Sequence, residues 1–181
     1  MKYNQKFWAK NGKEVLIRNG GASDGSAVLE NFNLTHEETD YLLSYPDENQ
    51  FDAEQESSFL ERKAESSREV ELVAIMDGKV IGTAGIDAIG TKYKVAHRAE
   101  FGIGMLKEYW GLGIGRALLE ACIQCAREAG YVQLELSVVA DNERAIMMYE
   151  KAGFVEYGRN PKGFCSRTAG FQELVSMRLE L

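Results

Sequence analysis

Three glycines at alternate positions, Gly111, Gly113 and Gly115, separate two very different apolar patterns in this chain of 181 residues. Before them, Phe101, Ile103 and Met105 alternate with Glu100, Gly102 and Gly104, the period of a strand. After them, Leu118, Leu119, Cys122, Ile123, Cys125 and Ala126 recur at helical spacing until Gly130, a residue suited to a helix C-terminus. Glycines at a helix start leave backbone N–H groups unhindered, and the helix dipole adds partial positive charge there. The chemistry this favours is capture of a phosphate-bearing ligand.

The two common nucleotide loops do not fit. A P-loop ends in Gly-Lys-Ser/Thr, whereas Gly115 is followed by Arg116 and Ala117. A dinucleotide loop, Gly-x-Gly-x-x-Gly, would need glycine where Arg116 stands. Its acidic ribose partner would have to be Glu135, which falls inside the next strand pattern and not at its end.

That next pattern is a second unit. Leu134, Leu136 and Val138 alternate with Gln133, Glu135 and Ser137 as a strand, then Asp141 or Asn142 can cap a helix that Gly153 closes. Residues seven apart on a helix differ by only about 20° in direction, so Asn142 and Tyr149 share one face.

With both units in view, the chain resembles the GNAT superfamily of acetyl-CoA-dependent N-acetyltransferases. Residues 110–115, Trp-Gly-Leu-Gly-Ile-Gly, are similar to the family's pyrophosphate loop, Gln/Arg-x-x-Gly-x-Gly/Ala, with Trp110 at the position usually held by Gln or Arg. Residues 142–154 are similar to its Asn-x-x-Ala-x-x-x-Tyr-x-x-x-Gly-Phe motif. The resemblance implies acetyl-CoA as cosubstrate, no metal, and a cofactor site made by Trp110, Gly111, Leu112, Gly113, Ile114, Gly115 and Arg116 at the diphosphate. It further implies that the strands near 101–106 and 134–139 splay apart around the pantetheine arm. There the backbone of Ile103, Gly104 and Met105 pairs with its amides, and Asn142 and Tyr149 stand beside it. The implied reaction is direct attack of a neutral primary amine on the thioester within a ternary complex. The acceptor is a small amine, an amino acid or a protein N-terminus.

Two proton transfers follow from that reaction. The amine must lose a proton before attack, and the departing thiolate leaves more easily if protonated. By resemblance Tyr149 is the general acid at sulfur. Glu100 is the first candidate for the base, with Glu69, Glu71, Asp87 and His97 in reserve. The competing expectations are a catalytically inactive domain of the same family that senses acetyl-CoA or binds a protein, and an unrelated nucleotide-binding module.

Composition sets the outer bounds. Hydrophobic residues at 45% and charged residues at 27% describe a globular chain of one-domain length. No apolar run reaches the length of a membrane span and no signal-peptide pattern opens the chain, so a cytoplasmic single domain over residues 1–181 is expected. A net charge of -7 argues against nucleic acid or anionic membrane as partner and suits a cationic amine. Homodimerisation is a further expectation from the family. Cys122 and Cys125 lie in the apolar stripe of the long helix, and neither they nor Cys165 has a second Cys/His pair that would complete a metal site.

The rest of the chain reads as elements around those two units. Asn11-Gly12 and Asp77-Gly78 mark hairpins joining 7–10 to 14–18 and 69–76 to 80–89. Helices are expected over 24–34 and 52–67, and closing strands over 154–159 and 171–181, joined by a loop over 160–170. The fold class is therefore α/β (α+β), a GNAT-like mixed, mostly antiparallel sheet with helices on both faces.

Overall fold

The computed structural model describes residues 1–181. One eight-stranded sheet organises them, in the order β1-β2-β3-β4-β5-β6-β8-β7. Hairpin chemistry builds its first half. Strands β1 (Asn4–Trp8) and β2 (Glu14–Asn19) pair across the Asn11-Gly12 turn, and β3 (Val70–Met76) and β4 (Lys79–Ala88) pair across Asp77-Gly78. Asp77 and Gly78 have φ of 52° and 78°, the positive values at both central residues that match a tight turn to strand twist.

Between these hairpins lie helices α1 (Gly25–Glu38) and α2 (Ala53–Glu65). Asp52 begins α2: its carboxylate accepts from the N–H groups of Glu54 at 3.0 Å and Gln55 at 2.8 Å, while Gln55 reaches back to the Asp52 N–H at 2.9 Å. This reciprocal cap satisfies donors that the first turn otherwise strands. The second half of the sheet carries β5 (Arg98–Met105), α3 (Ile114–Glu128), β6 (Gln133–Val139), α4 (Glu143–Lys151), β7 (Val155–Ser166) and β8 (Gly170–Glu180).

One expectation is overturned. The stretch 160–170 is not a loop: β7 runs on to Ser166 and the turn is confined to 167–169. Pro161 and Gly163 are absorbed by an irregularity in register between Asn160 and Phe164. A proline cannot donate to a ladder, but β7 is the outer strand of the sheet, where that loss is tolerated and a bulge restores pairing.

Alternation assigns the two faces. Leu72, Ile86, Phe101 and Leu134 lie on the face packed by α3, where Leu118, Leu119 and Cys122 complete the larger core. Burial pushes the Cys122 thiol well up and Cys125 up to about 11, so both behave as core apolar groups. The opposite face meets α1 and α2 through a smaller cluster of Val28, Leu60, Val73 and Val80. That face also holds Glu71, Asp87 and Glu100, as the pairings Glu71 with Gly85 and Asp87 with Glu100 require. No helix is long and apolar enough to cross a membrane.

Candidate active site

The site is a fork in the sheet. Strands β5 and β6 run parallel and pair only through Arg98–Gln133, Ala99–Leu134 and Glu100–Glu135. Beyond these residues β5 stays with β4 as far as Met105 and β6 stays with β8 as far as Val139. Each strand keeps its outer partner, so the inner edges separate and expose backbone donors and acceptors in a gap. Arg98 and Glu135 tie the closed end: the guanidinium Nη2 donates to Glu135 at 2.7 Å and Tyr157 adds its hydroxyl at 3.2 Å.

Backbone parity decides which groups enter the gap. Arg98 accepts from Ile89 at 3.2 Å and Leu106 donates to Ile81 at 3.0 Å, both toward β4, whereas the His97 carbonyl accepts from Val132 at 2.9 Å, toward β6. In a pleated strand successive residues point their backbone groups to opposite edges. Phe101, Ile103 and Met105 therefore face the gap, while Gly104 turns its N–H and C=O to β4. This corrects the expected use of the Gly104 backbone and adds Phe101, whose odd position was the sequence signal for it. The Met105 carbonyl is also taken, by the Trp110 indole at 2.9 Å.

At the open end of the fork, Gly111 and Gly113 adopt φ of 84° and 89°, the left-handed region that glycine enters without cost. This sharp turn starts α3 at Ile114 with no side-chain cap. No N–H from Gly111 through Arg116 donates to a protein acceptor, although the Leu112 and Gly113 carbonyls are engaged by Lys10 and Ala117. Such a row of free donors at a helix N-terminus fits an anion. Arg116 turns aside to Glu120 at 2.8 Å. Arg144, unanticipated in the sequence, lies over the Trp110 ring at 5.3 Å and beside Gly111. Only its place two residues after Asn142 hinted at it. Asn142 itself caps α4, its side chain accepting from the Ala145 N–H at 3.3 Å.

Tyr149 enters the fork from the α3/α4 face. Its ring is 6% exposed and packs edge-on to Phe101, with centroids 6.1 Å apart, and against Phe154 at 5.9 Å. The hydroxyl makes no protein hydrogen bond, yet it is not among the sealed, unpartnered polar atoms of the interior. Burial raises its pKa above the usual phenol value.

The α1/α2 face of the fork is floored by glycine. A Cβ at Gly102 would meet open space, and one at Gly104 would meet only Thr35 and Leu42. Glu100 is exposed at the closed end of this floor. Of the other carboxylates, Asp87 pairs with the buried Lys63, and Glu69 accepts from the Ala88 N–H at 3.3 Å. His97 is exposed on the turn before β5. Glu71 is half-buried, and burial pushes its carboxyl up to about 7, against the pull of Lys63 and the Thr83 hydroxyl. The α1–α2 loop borders the mouth of the fork, since Leu42 lies near Gly104, and the tip of the β7–β8 hairpin clasps that loop. The Arg167 guanidinium grips Asp47 through two bonds of 2.9 Å and stacks on Tyr45 at 4.0 Å, while Thr168 bonds Asp40.

The Acetyltransferase (GNAT) family model matches residues 32–154. The chain is similar to L-amino acid N-acetyltransferase AaaT of Escherichia coli, at 34% identity over 103 residues, covering 56% of this chain and 63% of that protein. It thus spans less than two thirds of that relative. A GNAT-family acetyltransferase structure from Streptococcus pneumoniae superposes with a TM-score of 0.88 and 29% identity, covering 92% of this chain and 99% of that one. A Salmonella typhimurium structure described as a putative acetyltransferase, yncA, with its cofactor acetyl-CoA has the same fold, with a TM-score of 0.81 at 21% identity, over 92% and 94% of the two chains. This chain belongs to the acetyltransferase (GNAT) family.

Proposed function

We propose that this chain binds acetyl-CoA and transfers its acetyl group to a primary amine by direct attack. The observation that carries the reading is the row of free N–H groups from Gly111 to Arg116, opening onto a fork whose inner edge is unpaired. A diphosphate needs many convergent donors and an amide-bearing arm needs an unpaired strand edge. The turn before α3 supplies the first and the fork the second. Acetyl-CoA brings an activated acyl group, and the rest of the chemistry falls to the protein.

The N–H groups of Phe101 and Ile103 border the fork, and one of them can donate to the thioester oxygen as charge grows there. Tyr149 stays protonated at any working pH because burial disfavours the phenolate. Outright transfer of its proton to a thiolate, with an ordinary thiol pKa of about 8.5, is uphill. The hydroxyl therefore hands its proton to sulfur while taking one from the acylated nitrogen, and ends as it began. A carboxylate on the α1/α2 face, where Glu100 and Glu71 both stand, receives the first proton from the incoming ammonium. The clasp between Arg167 and Asp47 narrows the approach and favours a slender amine end over a bulky one.

Thiol release from acetyl-CoA, measured against amino acids, polyamines, aminoglycosides and N-terminal peptides, tests the reading. Thermal shifts are expected with CoA and acetyl-CoA, and none with NAD or ATP. Stabilisation by CoA with no turnover on any amine would leave a binding domain. No shift with CoA would remove the site itself.

A further inference from the structure

Resting on that reading, we infer that Glu71, not Glu100, takes the proton from the acceptor ammonium, in a pocket over Gly102 on the α1/α2 face. Glu71 pairs with Gly85, and Gly85 pairs with Gly102. The Glu71 carboxylate lies across β4 on the spot a side chain at Gly85 would fill, since a Cβ there would collide with Oε2. Neighbouring strands are about 4.8 Å apart, so the carboxylate stands one strand spacing from Gly102, beside the fork. Glu100 lies two residues back along β5, at the closed end, flanked by Asp87 and Glu135.

Space and access agree with position. Nothing lies within 4 Å of a Cβ built at Gly102, which leaves room over the floor for an alkylammonium. Glu71 has no ion-pair partner, because the one buried cation near it, Lys63, is bound to Asp87 and to the Ile86 carbonyl at 3.3 Å. The groups facing Glu71 are Lys63 and Glu56 from α2, and Asp87 and Thr83 from β4, with Cys122 across the sheet. Burial raises its proton affinity most and the carboxylates Asp87 and Glu56 add to it, while Lys63 and Thr83 restrain it. A half-buried acid with that balance holds a proton near neutrality, where general-base work is most effective.

The step balances. The ammonium gives one proton to the Glu71 carboxylate, becoming a neutral amine with a free lone pair. The nitrogen–carbon bond forms, the carbon–sulfur bond breaks, and the sulfur receives its proton through Tyr149 as nitrogen loses its second. Glu71 then returns its proton to solvent through the open space over Gly102. Glu100 contributes negative charge that draws the cation in.

The test is the pH profile of kcat/KM with spermidine and with an N-terminal alanyl peptide, for the native chain, Glu71→Gln, Glu71→Asp and Glu100→Gln. The native chain should lose activity below a midpoint near 7. Glu71→Gln should remove that limb, so that activity climbs with amine deprotonation, and should lower kcat/KM at pH 7 by about 100-fold. Glu71→Asp should restore a limb, and Glu100→Gln should keep it. Carbon NMR of the free protein, with labelled glutamate carboxyls, should show a titration near 7 that vanishes in Glu71→Gln. A limb unchanged in Glu71→Gln, or lost in Glu100→Gln, overturns the inference while transfer stands. A native chain inactive on every amine of the wider panel removes the transfer reading and this inference with it.

Discussion

Phe101 and Phe154 grip the Tyr149 ring at 6.1 and 5.9 Å, which leaves the hydroxyl as the only part of that side chain free to act. Removing it alters no packing. Tyr149→Phe is therefore expected to lower kcat by about 100-fold with CoA affinity unchanged, read by thiol release and calorimetry side by side. Loss of CoA affinity in the same variant would mean that the residue is structural. Asn142 shows how one residue type serves two readings. Its spacing from Tyr149 pointed to the cofactor, yet its Oδ1 is spent on the Ala145 N–H as a helix cap. Its amide N–H groups remain available to a ligand, so capping and binding are compatible.

Among the elements, the turn before α3 and the clasp over the mouth do separable work. Gly113 has φ of 89° with open space where a Cβ would go, so its replacement is penalised by backbone strain alone. Gly113→Ala should cost about 1–2 kcal/mol in urea unfolding, and should weaken CoA by an order of magnitude because the free N–H groups no longer converge. The clasp is the reverse case. The Arg167 and Asp47 side chains are 56% and 64% exposed, and such pairs are worth only about 0–1 kcal/mol. Arg167→Ala should leave the melting temperature nearly unchanged, yet shift the acceptor KM several-fold with the acetyl-CoA KM fixed. Equal movement of both constants would count against a role at the mouth.

For the whole molecule, the net charge of -7 acts at a distance. A polycationic acceptor should meet an attractive field that salt screens over a Debye length of about 10 Å at 0.1 M. The kcat/KM for spermidine should fall steadily with added sodium chloride, while that for a zwitterionic amino acid stays flat. Equal salt dependence for the two acceptors would show that overall charge plays no part in acceptor capture.

Local chemistry alone determined much of this protein. Glycine spacing, turn pairs such as Asp77-Gly78 and the cap at Asp52 act over a few residues, so the hairpins, the helix starts and the glycine turn before α3 were legible in order. So was the family, because its motifs lie within contiguous stretches. What stayed hidden depends on residues far apart in the chain. Pro161 and Gly163 read as a loop until β7 proved to be the outer strand, where a bulge absorbs them. The sequence put Glu100 first as the base and held Glu71 in reserve, since the place of Glu100 before the glycine-rich strand was the one local signal. Tertiary structure separated them, because the register of β3, β4 and β5 sets Glu71 over a glycine floor and Glu100 at the closed end. Pairing register is fixed only when the strands assemble, and burial, which sets proton affinity, exists only after α2 has packed on the sheet.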